Sequence, residues 1–161
     1  MTINDRIMGA ALFGGAAAFF WLAVWGATGF AELVAYGAGA SIPSACLFGA
    51  LDARRVILKV LGGTDLGRGF AAGIGTTVKA YALSALLIAA CIAGMEPVQL
   101  LTSDPMALFA KLPDTVEYFV SLLTLATLGG LPFLLPSLVV GAGAGWLLHR
   151  YTLRLYPSDL S

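Results

Sequence analysis

Ile7 to Gly26 is a run of twenty residues without a single charge. A helix crossing about 30 Å of hydrocarbon needs roughly 20 mostly apolar residues. Only a structure that satisfies its own backbone hydrogen bonds survives there. The run also exceeds the roughly 7–15 apolar residues of a secretory signal, so it is read as a span. Three more runs follow: Phe30 to Leu51, twenty-two residues interrupted only by Glu32; Phe70 to Gly94, twenty-five residues with one Lys; and Val116 to His149, thirty-four residues.

Composition excludes the alternatives. Hydrophobic residues make up 59% of the 161 and charged residues 11%, against about 45–50% and about 25% in a soluble domain. Too few polar side chains exist to coat a water-soluble globule. The nine Lys+Arg balance nine Asp+Glu, which leaves no excess positive charge for a phosphate backbone, and nucleic acid is not an expected partner. The expected fold is all-α: a single polytopic transmembrane domain over residues 1–161, with four spans at about 7–26, 30–51, 70–94 and 116–149, and short loops.

The last run is the ambiguous one. As a single helix it would measure about 51 Å. It contains Gly129-Gly130-Leu131-Pro132 and then Pro136, and proline removes a helical N–H and kinks or breaks the helix. Two readings compete. Either one kinked span runs through, or a short interfacial or re-entrant piece from Val116 to Leu128 precedes a true span from Leu131 to His149.

Charge sets the parity. Arg6, Arg54, Arg55, Lys59, Arg68, Arg150 and Arg154 fall on one side of a four-span topology and Lys111 on the other. The positive-inside rule then puts both termini in the cytoplasm. The expected location is a cell membrane of the bacterial inner-membrane kind. Arg54, Arg55, Lys59, Arg68, Arg150 and Arg154 set topology and meet lipid headgroups.

Two polar connections separate the later spans. Asp52 to Arg68 is read as a basic loop or a short interfacial segment. Met95 to Pro113 is read as a loop holding a small helix: Ser103-Asp104-Pro105 supplies its cap and first position, and Pro113 ends it. Asp114-Thr115-Val116-Glu117 resembles a capping box that starts the last span. Trp21 and Trp25 at one end, and Trp146, Tyr151 and Tyr156 at the other, suit an aromatic belt.

Gly37 and Ser41, Gly69 and Gly73, and Gly141 and Gly145 are each four residues apart. Small residues at that spacing let membrane helices approach closely, within the chain or with another subunit. Ionisable groups inside a span are candidates for function. Lys79 lies about nine residues into the third span, where it either snorkels to the cytoplasmic face or meets a carboxylate, ligand or substrate. Glu32 sits at the outer boundary, where a first-turn carboxylate favours the helix dipole. Cys46 and Cys91 are expected at depths about 20 Å apart, too far for a disulfide.

No CxxC, HExxH, GxSxG or phosphate-loop motif occurs, and His149 is the lone histidine. The sequence predicts neither an enzyme nor a resident cofactor or metal. The leading expectation is a non-catalytic accessory or scaffold subunit packed against a larger membrane complex through its small-residue faces. The alternative is a small homo-oligomeric transporter or channel using Lys79 and the interrupted fourth helix. Partners are the lipid bilayer and other membrane subunits or further copies of the chain.

The topology is directly testable. With Cys46 and Cys91 replaced by Ala, a membrane-impermeant thiol reagent applied to intact cells should modify Thr102→Cys and leave Thr2→Cys and Ser158→Cys untouched. Labelling of either terminal cysteine would overturn the four-span parity.

Overall fold

Every apolar run becomes a helix, and each helix outgrows the run that seeds it. The computed structural model describes residues 3–61 and 66–155. It contains α1 (Ile3–Thr28), α2 (Ala31–Leu61), α3 (Leu66–Ser103) and α4 (Pro105–Leu155). All four are long and apolar enough to cross a membrane.

The first turn is made by one residue in the left-handed region. Gly29 has φ 70° and is the one described residue with positive φ. Its N–H donates to the Trp25 carbonyl at 2.8 Å, the single-bond form of a left-handed helix cap that glycine adopts without Cβ strain. The second turn is tighter still. Asp104 alone separates α3 from α4, and its Oδ1 accepts from the N–H groups of Met106 at 3.1 Å and Ala107 at 3.2 Å. That is the N-cap expected from Ser103-Asp104-Pro105, with the proline at the first helical position.

Three sequence expectations are corrected. Residues 52–61 are not a loop: α2 runs through Asp52 to Leu61, and α3 begins at Leu66. Ala, Arg, Leu and Lys are good helix formers, and no breaker stands before Gly62-Gly63. Arg54, Arg55, Lys59 and Arg68 therefore ride on helical extensions, their side chains outside the described residues. Tyr156 also lies outside them.

Residues 95–113 are not a loop either. α3 continues to Ser103, and α4 passes Pro113 without interruption. The Asp114 capping box does not form, because Thr115 is already mid-helix, its hydroxyl donating to the Lys111 carbonyl at 3.0 Å. Neighbouring α3 supports this stretch, with the Lys111 ammonium 2.6 Å from Glu96 Oε1.

Finally, α4 is one continuous helix of 51 residues that contains Pro113, Pro132 and Pro136. Residues 116–149 therefore belong to one helix, not to two separate pieces. Beside Pro136, the Ser137 hydroxyl donates to the Leu134 carbonyl at 2.7 Å.

The helices run up, down, up and down, so both turns lie at one end of the bundle and Asp5, Asp52 and His149 lie toward the other, here called the base. α1 packs on α2, α2 on α3, α3 on α4, and α4 returns to α1; the α3–α4 and α1–α2 hairpins carry the most extensive contacts. Few large side chains are buried. The core cluster is Phe13, Ala45, Ala53, Ala80, Ala144 and Leu148. Backbones approach closely instead. A Cβ on Gly9 would strike the Gly49 carbonyl oxygen, and a Cβ on Gly73 would strike that of Gly141. Both contacts lie in the basal half, and each fastens one hairpin.

Overpacking a close contact costs about 1–3 kcal/mol. Gly73→Val should therefore lower stability by about that amount in detergent, followed by thermal unfolding with circular dichroism. Gly75→Val, where nothing stands within 4 Å of a new Cβ, should stay close to the parent. Equal behaviour of the two variants would remove the glycine contact as a determinant of the bundle.

Candidate functional site

Two features stand out: a polar cluster at the base and an apolar cavity above it.

The cluster forms because α2 carries Asp52 down to face α3. Asp52 is 7% exposed and Thr76 1%. The Lys79 ammonium lies 2.6 Å from Asp52 Oδ2. The Thr76 hydroxyl lies 3.0 Å from both that oxygen and the Ala72 carbonyl, between which its one hydrogen is shared. The side chain of Lys79 is 40% exposed and that of Asp52 10%, so the lysine keeps one side in its surroundings while the carboxylate is enclosed. Thr76 and Lys79 are three apart on α3, which puts both on one face toward α2.

Depth explains why this ion pair is tolerated. Asp52 is twenty-one residues from Ala31, or about 32 Å down α2. That is the full thickness of a hydrocarbon core. In a membrane-spanning setting the pair sits at the basal boundary, where charge is far less costly than at mid-depth. The Lys79 ammonium meets a carboxylate while staying part-exposed, which combines elements of both readings, and the partner is an aspartate that the sequence pattern assigns to a loop.

Two further buried polar groups escaped the sequence reading. Asp5 is 2% exposed in the first turn of α1, where a carboxylate favours the helix dipole. His149 is 1% exposed. Its Cβ lies where a side chain on Gly69 would have to go, and neither ring nitrogen has a hydrogen-bond partner among the described residues. The missing side chain at position 69 is the available signal, because it leaves room for the histidine. Glu32, by contrast, is exposed in the first turn of α2, far from Lys79.

The cavity occupies the far half of the bundle and measures about 440 Å³. All four helices line it: Phe13, Phe20 and Trp21 from α1; Leu33, Tyr36 and Ser41 from α2; Thr77, Tyr81, Ser84 and Ile88 from α3; Leu125, Gly130, Phe133 and Ser137 from α4. Lys79 is not among its walls. Leu33, Tyr36 and Leu125 are 40%, 59% and 67% exposed, so the cavity is open at its edge.

Aromatic props hold the walls apart. Trp21 crosses from α1 to α2, its indole N–H donating to Ser41 Oγ at 2.5 Å, its ring filling the space beside Gly37 and facing Phe133 of α4 at a centroid distance of 5.8 Å. This corrects the aromatic-belt reading of Trp21. Trp25 is 53% exposed at the turn end, and at the base Trp146 stacks under the Arg150 guanidinium, 4.8 Å from its ring centroid. Gly37 and Ser41 thus receive an indole, while Gly69, Gly73, Gly141 and Gly145 meet across the α3–α4 contact. Across α4, the Tyr81 hydroxyl donates to the Thr127 carbonyl at 2.5 Å, with its ring over Gly130. Cys46 packs against Gly14 at the α1–α2 contact, and Cys91 is exposed on α3.

No protein family, no curated protein and no solved structure matches this chain. Its chemistry is read from the site alone. Among the described residues, no three His, Cys, Asp or Glu side chains converge as metal ligands do. The cavity is a largely apolar space, open at one edge, with a few polar groups in its walls.

The ion pair generates a prediction of its own. With Lys79 partly exposed, its coupling to Asp52 belongs between the surface and buried limits, at about 1 kcal/mol. A double-mutant cycle of Lys79→Met and Asp52→Asn, read by unfolding in detergent, should return that coupling. Additive single effects would show that the contact contributes nothing to stability.

Proposed function

We propose that this chain is a non-catalytic integral membrane subunit that crosses the bilayer four times, with its arginine-bearing base toward the cytoplasm, and holds an apolar small molecule inside the bundle. The observation that carries the reading is the cavity of about 440 Å³ lined by all four helices. Ligand pockets are clefts of roughly 300–1,000 Å³, mostly apolar, with a small number of polar groups. Exposed Leu33, Tyr36 and Leu125 at its edge leave a route for an occupant.

The bilayer setting is supported by the outer faces. Leu125, Leu128, Leu131, Leu135 and Val139 of α4 are all strongly exposed, an apolar stripe at helical spacing that lipid covers. The two sequence-based expectations fare differently beside the cavity. Association with a larger complex through small-residue faces loses part of its support, since the glycines of α3 and α4 are engaged with each other. Transport through Lys79 loses more, since its ammonium lies on Asp52 and its side chain is absent from the cavity walls. Holding an apolar molecule agrees with service in a larger complex and needs no polar pathway.

The test is chemical. Native mass spectrometry of protein released from mild detergent should find one apolar molecule per chain. Ala85→Phe, which adds a ring to a buried wall residue, should expel it while leaving the helical circular dichroism unchanged. Recovery of the parent with nothing bound, or equal occupancy in the variant, would overturn the reading.

A further inference from the structure

The cavity's polar groups differ in one respect that decides what it can recognise: almost every hydrogen they could donate is already given to the protein. The Thr77 hydroxyl donates to the Gly73 carbonyl at 2.9 Å, Ser84 to Ala80 at 2.6 Å and Ser137 to Leu134 at 2.7 Å. Tyr81 donates to the Thr127 carbonyl and the Trp21 indole to Ser41. A hydroxyl has one hydrogen and two acceptor positions. The first four groups can therefore only accept further bonds, and the indole can do neither.

Ser41 is the exception. Its oxygen accepts from Trp21, and among the described residues its own hydrogen goes to no protein acceptor. This breaks the habit of Thr77, Ser84 and Ser137, which bond back to a carbonyl three or four residues earlier, as serine and threonine usually do inside apolar helices. The indole N–H occupies one side of Ser41 Oγ and leaves the hydrogen to point elsewhere. Tyr36, the other wall residue with an unspent hydroxyl, is 59% exposed and belongs to the mouth. Inside the chamber, the unspent donor is Ser41.

Depth narrows the partner. Ser41 is ten residues from Ala31, or about 15 Å down α2, the middle of a hydrocarbon core about 30 Å thick. A bilayer lipid reaches that depth with its tails, while its ester and headgroup oxygens stay near the interface. A hydroxyl hydrogen left without an acceptor in such surroundings costs about 1–3 kcal/mol. Satisfying it selects a molecule that carries an acceptor oxygen deep inside an otherwise apolar body.

We propose that the chamber recognises an apolar molecule bearing a carbonyl or ether oxygen, which accepts a hydrogen bond from the Ser41 hydroxyl, with Trp21 as the residue that positions it. This rests on the cavity-binding reading above and adds the chemical class of the occupant.

The probes are a medium-chain methyl ketone and the alkane of equal length, titrated against delipidated full-length protein in detergent. Each affinity is expressed as the ratio of parent to variant, so that partition into micelles cancels. One net hydrogen bond is worth up to about tenfold. The parent should therefore favour the ketone by about that factor relative to Ser41→Ala, with alkane binding unchanged and the preference restored in Ser41→Thr. The infrared carbonyl stretch of the bound ketone should lie at lower wavenumber in the parent than in Ser41→Ala. An equal parent-to-variant ratio for ketone and alkane, or an unshifted carbonyl stretch, would overturn the role of Ser41 and leave the cavity reading standing, with a plain lipid tail as occupant. Binding of neither probe would overturn both.

Discussion

The architecture depends on backbone-to-backbone contact at glycine. Within a bilayer the hydrophobic effect does not drive one apolar helix against another, so association falls to close packing and the few hydrogen bonds that close packing permits. Gly9 against Gly49 and Gly73 against Gly141 bring each hairpin together in its basal half. Toward the turns the contacts change character. Phe20, Trp21, Tyr81 and Phe133 stand where glycine and alanine stood below. A bundle pinned by small residues at one end and propped by aromatic rings at the other has to open a space between them. The cavity follows from that asymmetry.

The same asymmetry separates the chemistry into two levels. At the base, where Asp52 faces Thr76 and Lys79, the helices are close enough for a carboxylate to be shared between two elements. Above it the polar side chains are hydroxyls, and those of Thr77, Ser84 and Ser137 are turned back onto their own helices. Charge is kept at the boundary and hydrogen bonding is closed locally at depth, the arrangement that a low-dielectric setting favours. Ser41 departs from it because an indole from another helix reaches its oxygen, a contact that no single helix could supply.

Buried polar groups that no sequence motif announces sit at the base as well. His149 is buried against Gly69, and Asp5 is buried in the opening turn of α1. Both follow from where neighbouring helices come closest. A histidine beside an arginine near the end of an apolar run reads as an interfacial residue until the partner helix is in place. The two apparent loops were misleading for a related reason. Residues 52–61 and 95–113 are polar enough to look like connections, yet polarity reports only what surrounds a segment. Residues 52–61 are mostly helix formers, and 95–113 stay helical on either side of Asp104 in spite of Pro97 and Pro113.

Composition and periodicity alone determined that this chain is helical, that it has four apolar helices, and that cationic residues gather toward one end. Twenty-residue runs without charge leave the backbone no other way to satisfy its hydrogen bonds in hydrocarbon. The cap at Asp104 was legible too, since it depends on three adjacent residues. Only tertiary structure decided that Asp52 belongs to Lys79, that Trp21 enters the bundle, and that a chamber opens above the ion pair. Spacing along a helix fixes which residues share a face. The rotation and register of one helix against the next are set by contacts between residues far apart in sequence, and no local pattern encodes them.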